Sequence, residues 1–138
     1  MFGASPSPLA EPPTVYQFEY TGPKHNFTRR DAKSAADAFV VFATAQQKDL
    51  AQTSALTATW AAVVAKAEAD EPGTLMYGVV RNKETEAEIG TIEAYVDEKG
   101  FAEHCQSGEV KALVEKSKEI NGQMGYVSLK IVIGWLLR

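Results

Sequence analysis

The chain is 138 residues long, 45% hydrophobic, 9% aromatic and 23% charged, which is the make-up of a globular domain and not of a collagen-like, coiled-coil or disordered chain. That length holds one core with room for an appendage and excludes a second full core. Fourteen basic against eighteen acidic side chains leave a net charge of −4, which argues against nucleic acid as a partner, since phosphate binding needs concentrated Lys and Arg. No apolar run reaches the roughly eighteen residues of a membrane span, so no membrane partner is expected. The opening MFGASPSPLAEPP has neither the basic nor the apolar region of a secretory signal. The single cysteine, Cys105, cannot form an internal disulfide, so a cytoplasmic, reducing location is expected.

Residues 1–36 are read as an N-terminal extension. It begins with the Pro- and Ser-rich arm SPSPLAEPP, which cannot pack a core. TVYQFEY at 14–20 has the aromatic and β-branched content of a possible extra strand. TGPKHNFTRRDAK then breaks any regular pattern. Its cluster Lys24, Arg29, Arg30 and Lys33 either attracts an anion or forms a solvated face.

A domain over 37–138 follows. AFVVFATA at 38–45 is an apolar run of strand length. The alanine-rich stretch after it lacks Gly and Pro, and its apolar Leu56, Trp60, Val63, Val64 and Ala67 make one helical stripe. Residues 74–81 and 88–96 predict two strands of a hairpin, with Leu75, Tyr77 and Val79 on one face and Ile89, Thr91, Glu93 and Tyr95 on one face of the next. Residues 97–120 predict a helix broken at Ser107-Gly108, and 125–137 a last strand. The order β-α-β-β-α-β is ferredoxin-like α+β: one antiparallel sheet with two helices on one face. The other face then wants cover, which a second copy of the chain would supply.

The usual catalytic motifs are missing. There is no phosphate-binding Gly loop, no G-x-S-x-G, and no His/Cys spacing that predicts a metal site. His104 lies on the second predicted helix, one turn beyond Phe101. It reads either as a base or hydrogen-bond partner for a ligand, or as a helix histidine bonded to the backbone. Cys105 reads as a small hydrophobe before a nucleophile, and His25 as solvated. Phe39, Phe42, Trp60, Tyr77, Tyr95 and Phe101 fall on elements that meet, as core or as the walls of a pocket for an aromatic ligand. Glu93 is odd in a core strand and suits an interface, a basic partner or a cavity wall.

Four short motifs occur in order: Glu71-Pro72-Gly73-Thr74, Glu93-x-Tyr95-x-Asp97-Glu98, Phe101-x-x-His104-x-x-Ser107 and Lys111-Ala112-Leu113. In this order and spacing the chain from 38 to 136 resembles the antibiotic-biosynthesis monooxygenase domain. The resemblance implies a dimeric α+β barrel, and so a homodimer. For catalytic members it implies oxidation of phenolic, anthrone-like or quinol small molecules with dioxygen, without metal, flavin or haem, so no cofactor is expected. His104 matches the family's helix histidine and becomes the candidate catalytic base. Trp60, Tyr77, Tyr95, Phe101 and Phe42 are the candidate substrate-binding residues. Haem-degrading relatives use a strand asparagine, a helix tryptophan and a helix histidine. Here those helix positions carry His104 and Val114, and AFVVFATA has no asparagine, so haem degradation is not expected. Two other readings stay open. One is a non-catalytic small-molecule-binding or stress-associated dimeric barrel, the other an isomerase or decarboxylase on the same scaffold.

Overall fold

A computed structural model describes residues 17–22, 24–29, 38–46, 50–85, 87–119 and 123–130. The elements are β1 (Phe18–Tyr20), β2 (Asn26–Thr28), β3 (Phe39–Gln46), α1 (Leu50–Asp70), β4 (Thr74–Asn82), β5 (Glu88–Tyr95), α2 (Glu98–Cys105), α3 (Gly108–Glu119) and β6 (Gln123–Lys130). From β3 onward this is the expected β-α-β-β-α-β order with the second helix divided. The sheet runs β1-β4-β5-β3-β6, and β2 also pairs with β4. All its pairings are antiparallel, so the ferredoxin-like α+β architecture holds.

The extra strand forms at 18–20, against Val80 to Asn82. A second short strand, β2, forms in the stretch expected to be irregular and pairs with Met76 to Gly78. Together they cover the outer edge of β4, which would otherwise present unpaired backbone groups. The Pro-rich arm, the first residues of the predicted 14–20 strand, Arg30 and Lys33 of the basic cluster, and the end of the predicted last strand, 131–137, lie outside the described residues.

The apolar stripe of α1 is buried as its spacing predicts. Leu56, Trp60, Val63, Val64 and Ala67 pack on Tyr77, Val79 and Ile89 of the sheet and on Leu113 of α3. Burying one such Leu or Val side chain contributes roughly 1.5–3 kcal/mol. One face assignment fails: Leu75 joins the opposite cluster with Val40, Met76 and Ala94. The cause is a register shift between Thr74 and Met76, because an extra residue in one strand interrupts the period of two. Val40, Met76, Val80 and Ala94 are themselves buried within the chain.

The second helix breaks where the sequence suggests. Asp97 caps α2 by accepting from the Gly100 amide at 2.8 Å. Ser107 Oγ accepts from the Val110 amide and so caps α3. Gly73 and Gly100 let the start of α2 approach the start of β4. A Cβ on Gly100 would lie 3.3 Å from the Gly73 carbonyl oxygen.

Register also places Gly90 where no side chain fits. A Cβ there would lie 2.8 Å from the Ala43 carbonyl oxygen on the neighbouring strand. Gly90→Ala is expected to cost roughly 1–3 kcal/mol in urea unfolding. At Gly78 an added Cβ meets only the ring of Tyr20, which is 55% exposed and free to swing away. Gly78→Ala should therefore cost less. Equal costs at the two positions would contradict the β3–β5 register.

Candidate active site

Strand alternation brings Thr91, Glu93 and Tyr95 of β5 to one face, and Tyr77 of β4 stands directly opposite Glu93. Thr91 Oγ1 donates to Glu93 Oε1, and Tyr95 Oη donates to Glu93 Oε2 at 2.6 Å. Trp60 Nε1, reaching in from α1, donates to Tyr77 Oη at 3.1 Å. All five residues are buried, so a hydrogen-bonded polar patch sits in an otherwise apolar wall. Burial pushes the Glu93 carboxyl above its ordinary value of 4.5, against the hydrogen bonds from Thr91 and Tyr95. Burial and the Glu93 charge push both phenols, Tyr77 and Tyr95, far up. They remain protonated donors.

The helical side supplies His104, three residues beyond Phe101 on α2 and only 3% exposed. Its ring packs 5.2 Å from that of Tyr77 and 5.5 Å from that of Tyr95, between centroids. His104 Nδ1 lies 2.7 Å from Glu71 Oε2. That oxygen also accepts from Thr74 Oγ1 at 3.0 Å. A carboxylate at Nδ1 fixes the tautomer with its proton on Nδ1, which leaves Nε2 as the basic nitrogen.

Glu71 is held from a third direction. Helix α1 has no basic residue in its last turn, and Arg29, just after β2, fills that role. Its Nε donates to the Thr74 carbonyl at 2.8 Å, and its Nη2 to the carbonyls of Ala67, Glu68 and Glu71 at 3.0–3.1 Å. Arg29 is thus a helix clamp and neither an anion site nor part of a solvated face.

Between sheet and helices lies a cavity of about 290 Å³. Of the residues expected to bind substrate, Trp60, Tyr77 and Phe101 line it, as does His104. Tyr95 does not line it. Its ring backs His104 and Phe101, and its hydroxyl holds Glu93. Phe42 is on the other side of the sheet, edge-on to Phe18 at 5.5 Å. Its strand neighbours Val41 and Ala43 face the cavity, so Phe42 must face away.

Cys105 is at the wall, half-buried, with its thiol pushed up by burial and by the charges of Glu93 and Glu71. It stays a weakly polar wall group. His25 is partly buried and bonds Thr21 Oγ1 at 2.7 Å, away from this site. Glu71 and Arg29 escaped sequence reasoning, although Glu71 opens one of the recognised motifs. Among the described residues no group of three or more His, Cys, Asp or Glu side chains is placed to hold a metal ion.

The raised carboxyl of Glu93 makes a pH prediction. Its folded value lies above its unfolded one, so the native state binds the proton more tightly between the two. The stability this lends is full below about 4.5 and is lost as pH rises through the folded value. Relative to Glu93→Gln, the wild type should therefore lose unfolding free energy as pH rises from about 4.5. Urea unfolding of both proteins at several pH values measures this. A difference that is flat, or that grows in the wild type's favour, would contradict the assignment.

A family model for antibiotic biosynthesis monooxygenase matches residues 39–116, more than half of the chain. Among solved structures the chain is similar to a candidate antibiotic biosynthesis monooxygenase from Bacteroides thetaiotaomicron VPI-5482. That match has 20% identity and a TM-score of 0.65, over 74% of this chain and 96% of the other. A candidate of the same kind from Caulobacter crescentus CB15 matches at 20% identity and a TM-score of 0.62, over 71% of this chain and 93% of the other. A candidate monooxygenase from Lactobacillus acidophilus NCFM matches at 17% identity and 0.58 over 67% of this chain, which spans only 45% of that protein. No match is found among curated proteins. No described helix is long and apolar enough to cross a membrane. The structural likenesses, at such low identity, speak for the fold. With the family match over the strands and helices that build the cavity, the chain belongs to the antibiotic biosynthesis monooxygenase family.

Proposed function

We propose that the protein is a monooxygenase that oxidises a phenolic, anthrone-like or quinol small molecule with dioxygen, the substrate itself supplying the electrons. The observation that carries this reading is His104, buried at the wall of an apolar cavity with Nδ1 tied to Glu71 and Nε2 left as the base. A volume of about 290 Å³ is at the small end for ligand pockets, roughly 300–1,000 Å³, and suits a compact fused-ring substrate. Trp60, Tyr77 and Phe101 offer flat faces for its rings.

In this reaction Nε2 of His104 removes a proton from an acidic C–H or O–H of the substrate. The resulting anion is electron-rich enough to pass one electron to dioxygen, and the two radicals combine into a peroxide at carbon. The imidazolium returns its proton to the peroxide. Removal of the remaining hydrogen from that carbon then expels hydroxide, which leaves as water with a carbonyl in place of CH₂. The balance is substrate CH₂ plus O₂ giving C=O plus H₂O. Glu71 stabilises the imidazolium, and the apolar walls exclude water from the anion.

Dioxygen uptake by metal-free protein across a panel of anthrones, quinols and enediols tests this. Uptake is expected without added metal or flavin, and His104→Gln should lower it about a hundredfold or more. Undiminished uptake in the variant would remove His104 as the base. Saturable binding with no uptake across the panel would favour the non-catalytic binding protein.

A further inference from the structure

His104 belongs to two cavities at once. One of its sides faces the apolar cavity, and the other lines a crevice of about 210 Å³ whose walls include Asp70, Glu71, Thr74 and Glu103. Asp70 and Glu103 are exposed, so the crevice borders water. Glu71 stands between, with Oε2 on Nδ1 of His104. Among the described residues its other oxygen, Oε1, is buried with no hydrogen-bond partner. A buried carboxylate oxygen left unpaired is costly unless it has a task. A further polar wall of the cavity, the Glu93 patch, is closed on itself through Thr91 and Tyr95.

We propose that Glu71 and His104 form a proton path between the apolar cavity and the crevice. This rests on the reading above that Nε2 takes a proton from a bound substrate. From the imidazolium formed when Nε2 takes that proton, the one on Nδ1 passes to Glu71 Oε2 and leaves by the crevice, and Glu71 returns one to Nδ1 before the peroxide is protonated. The reverse movement returns a proton when the peroxide forms and hydroxide leaves. No electron moves along the path, and protons balance over the cycle. Glu71 touches no substrate and acts through His104, as a positioning and relay residue. The other ionisable groups facing His104 are Tyr77 and Tyr95 from the sheet, both held protonated, Glu93 behind them, and Cys105 and Glu103 on its own helix.

Glu71→Gln separates relay from positioning. The amide oxygen is the same size and still accepts from Nδ1 and Thr74, but it cannot carry a proton. With 1,8-dihydroxyanthrone as the probe, kcat is expected to fall tenfold or more in Glu71→Gln with KM within twofold. In Glu71→Ala, added acetate should restore part of the rate, because its carboxylate can occupy the vacated place. A kcat unchanged in Glu71→Gln, or no acetate effect in a folded Glu71→Ala, would overturn the relay. Nitrogen-15 NMR of the His104 ring tests the pairing without any turnover. In the neutral ring the proton is expected on Nδ1, and a neutral ring with its proton on Nε2 would overturn the path. Should the wild type oxidise nothing across the panel above, the monooxygenase reading fails, and the ring tautomer still decides the pairing.

Discussion

A carboxyl and an imidazole are kept out of water inside an apolar core, and the arrangement of the surrounding elements follows from having to satisfy them. An unpaired polar group in such a place costs roughly 1–3 kcal/mol, and a charged one more. Glu93 meets that demand within the sheet, through Thr91 and Tyr95, both two residues away on the same face. His104 meets it across elements, through Glu71. The second solution requires the end of α1 and the start of β4 to lie against α2. Arg29 and the Gly73–Gly100 approach secure that contact. The β1–β2 segment, outside the β-α-β-β-α-β unit, thereby supports the candidate site of the domain it precedes.

The fold was legible because its signals are periodic and local. The α1 stripe from Leu56 to Ala67, the strand runs and the Ser107 break each depend on residues close together in the sequence. β2 was not legible, since NFT is three residues long and exists by pairing with β4, a long-range contact with no local pattern. Leu75 was misplaced because a bulge changes the period without leaving a Gly or Pro to mark it.

The site was half legible. His104, Trp60, Tyr77 and Phe101 were found, three of them because large aromatics on facing elements must meet. Phe42 looked equivalent, yet one position along a strand reverses the face, and only the β3–β5 register says which residue looks inward. Glu71 was hidden because it sits in the turn after α1, thirty-three positions before its partner. Arg29 was hidden by its basic neighbours, which gave it the look of a solvated cluster. Its four backbone acceptors come from a helix end and a strand that composition cannot bring together.

The cavity under Trp60 is where a flat aromatic ligand is expected to bind. The chain has two tryptophans, Trp60 and Trp135, so Trp135→Phe leaves Trp60 as the sole reporter at the cavity wall. Titration with 1,8-dihydroxyanthraquinone, in which a carbonyl already stands where the anthrone has CH₂, should quench Trp60 emission saturably with one ligand per chain. Ala43→Leu, which places added bulk in the cavity, should weaken that binding tenfold or more. Quenching that never saturates, or that Ala43→Leu leaves unchanged, would contradict the account.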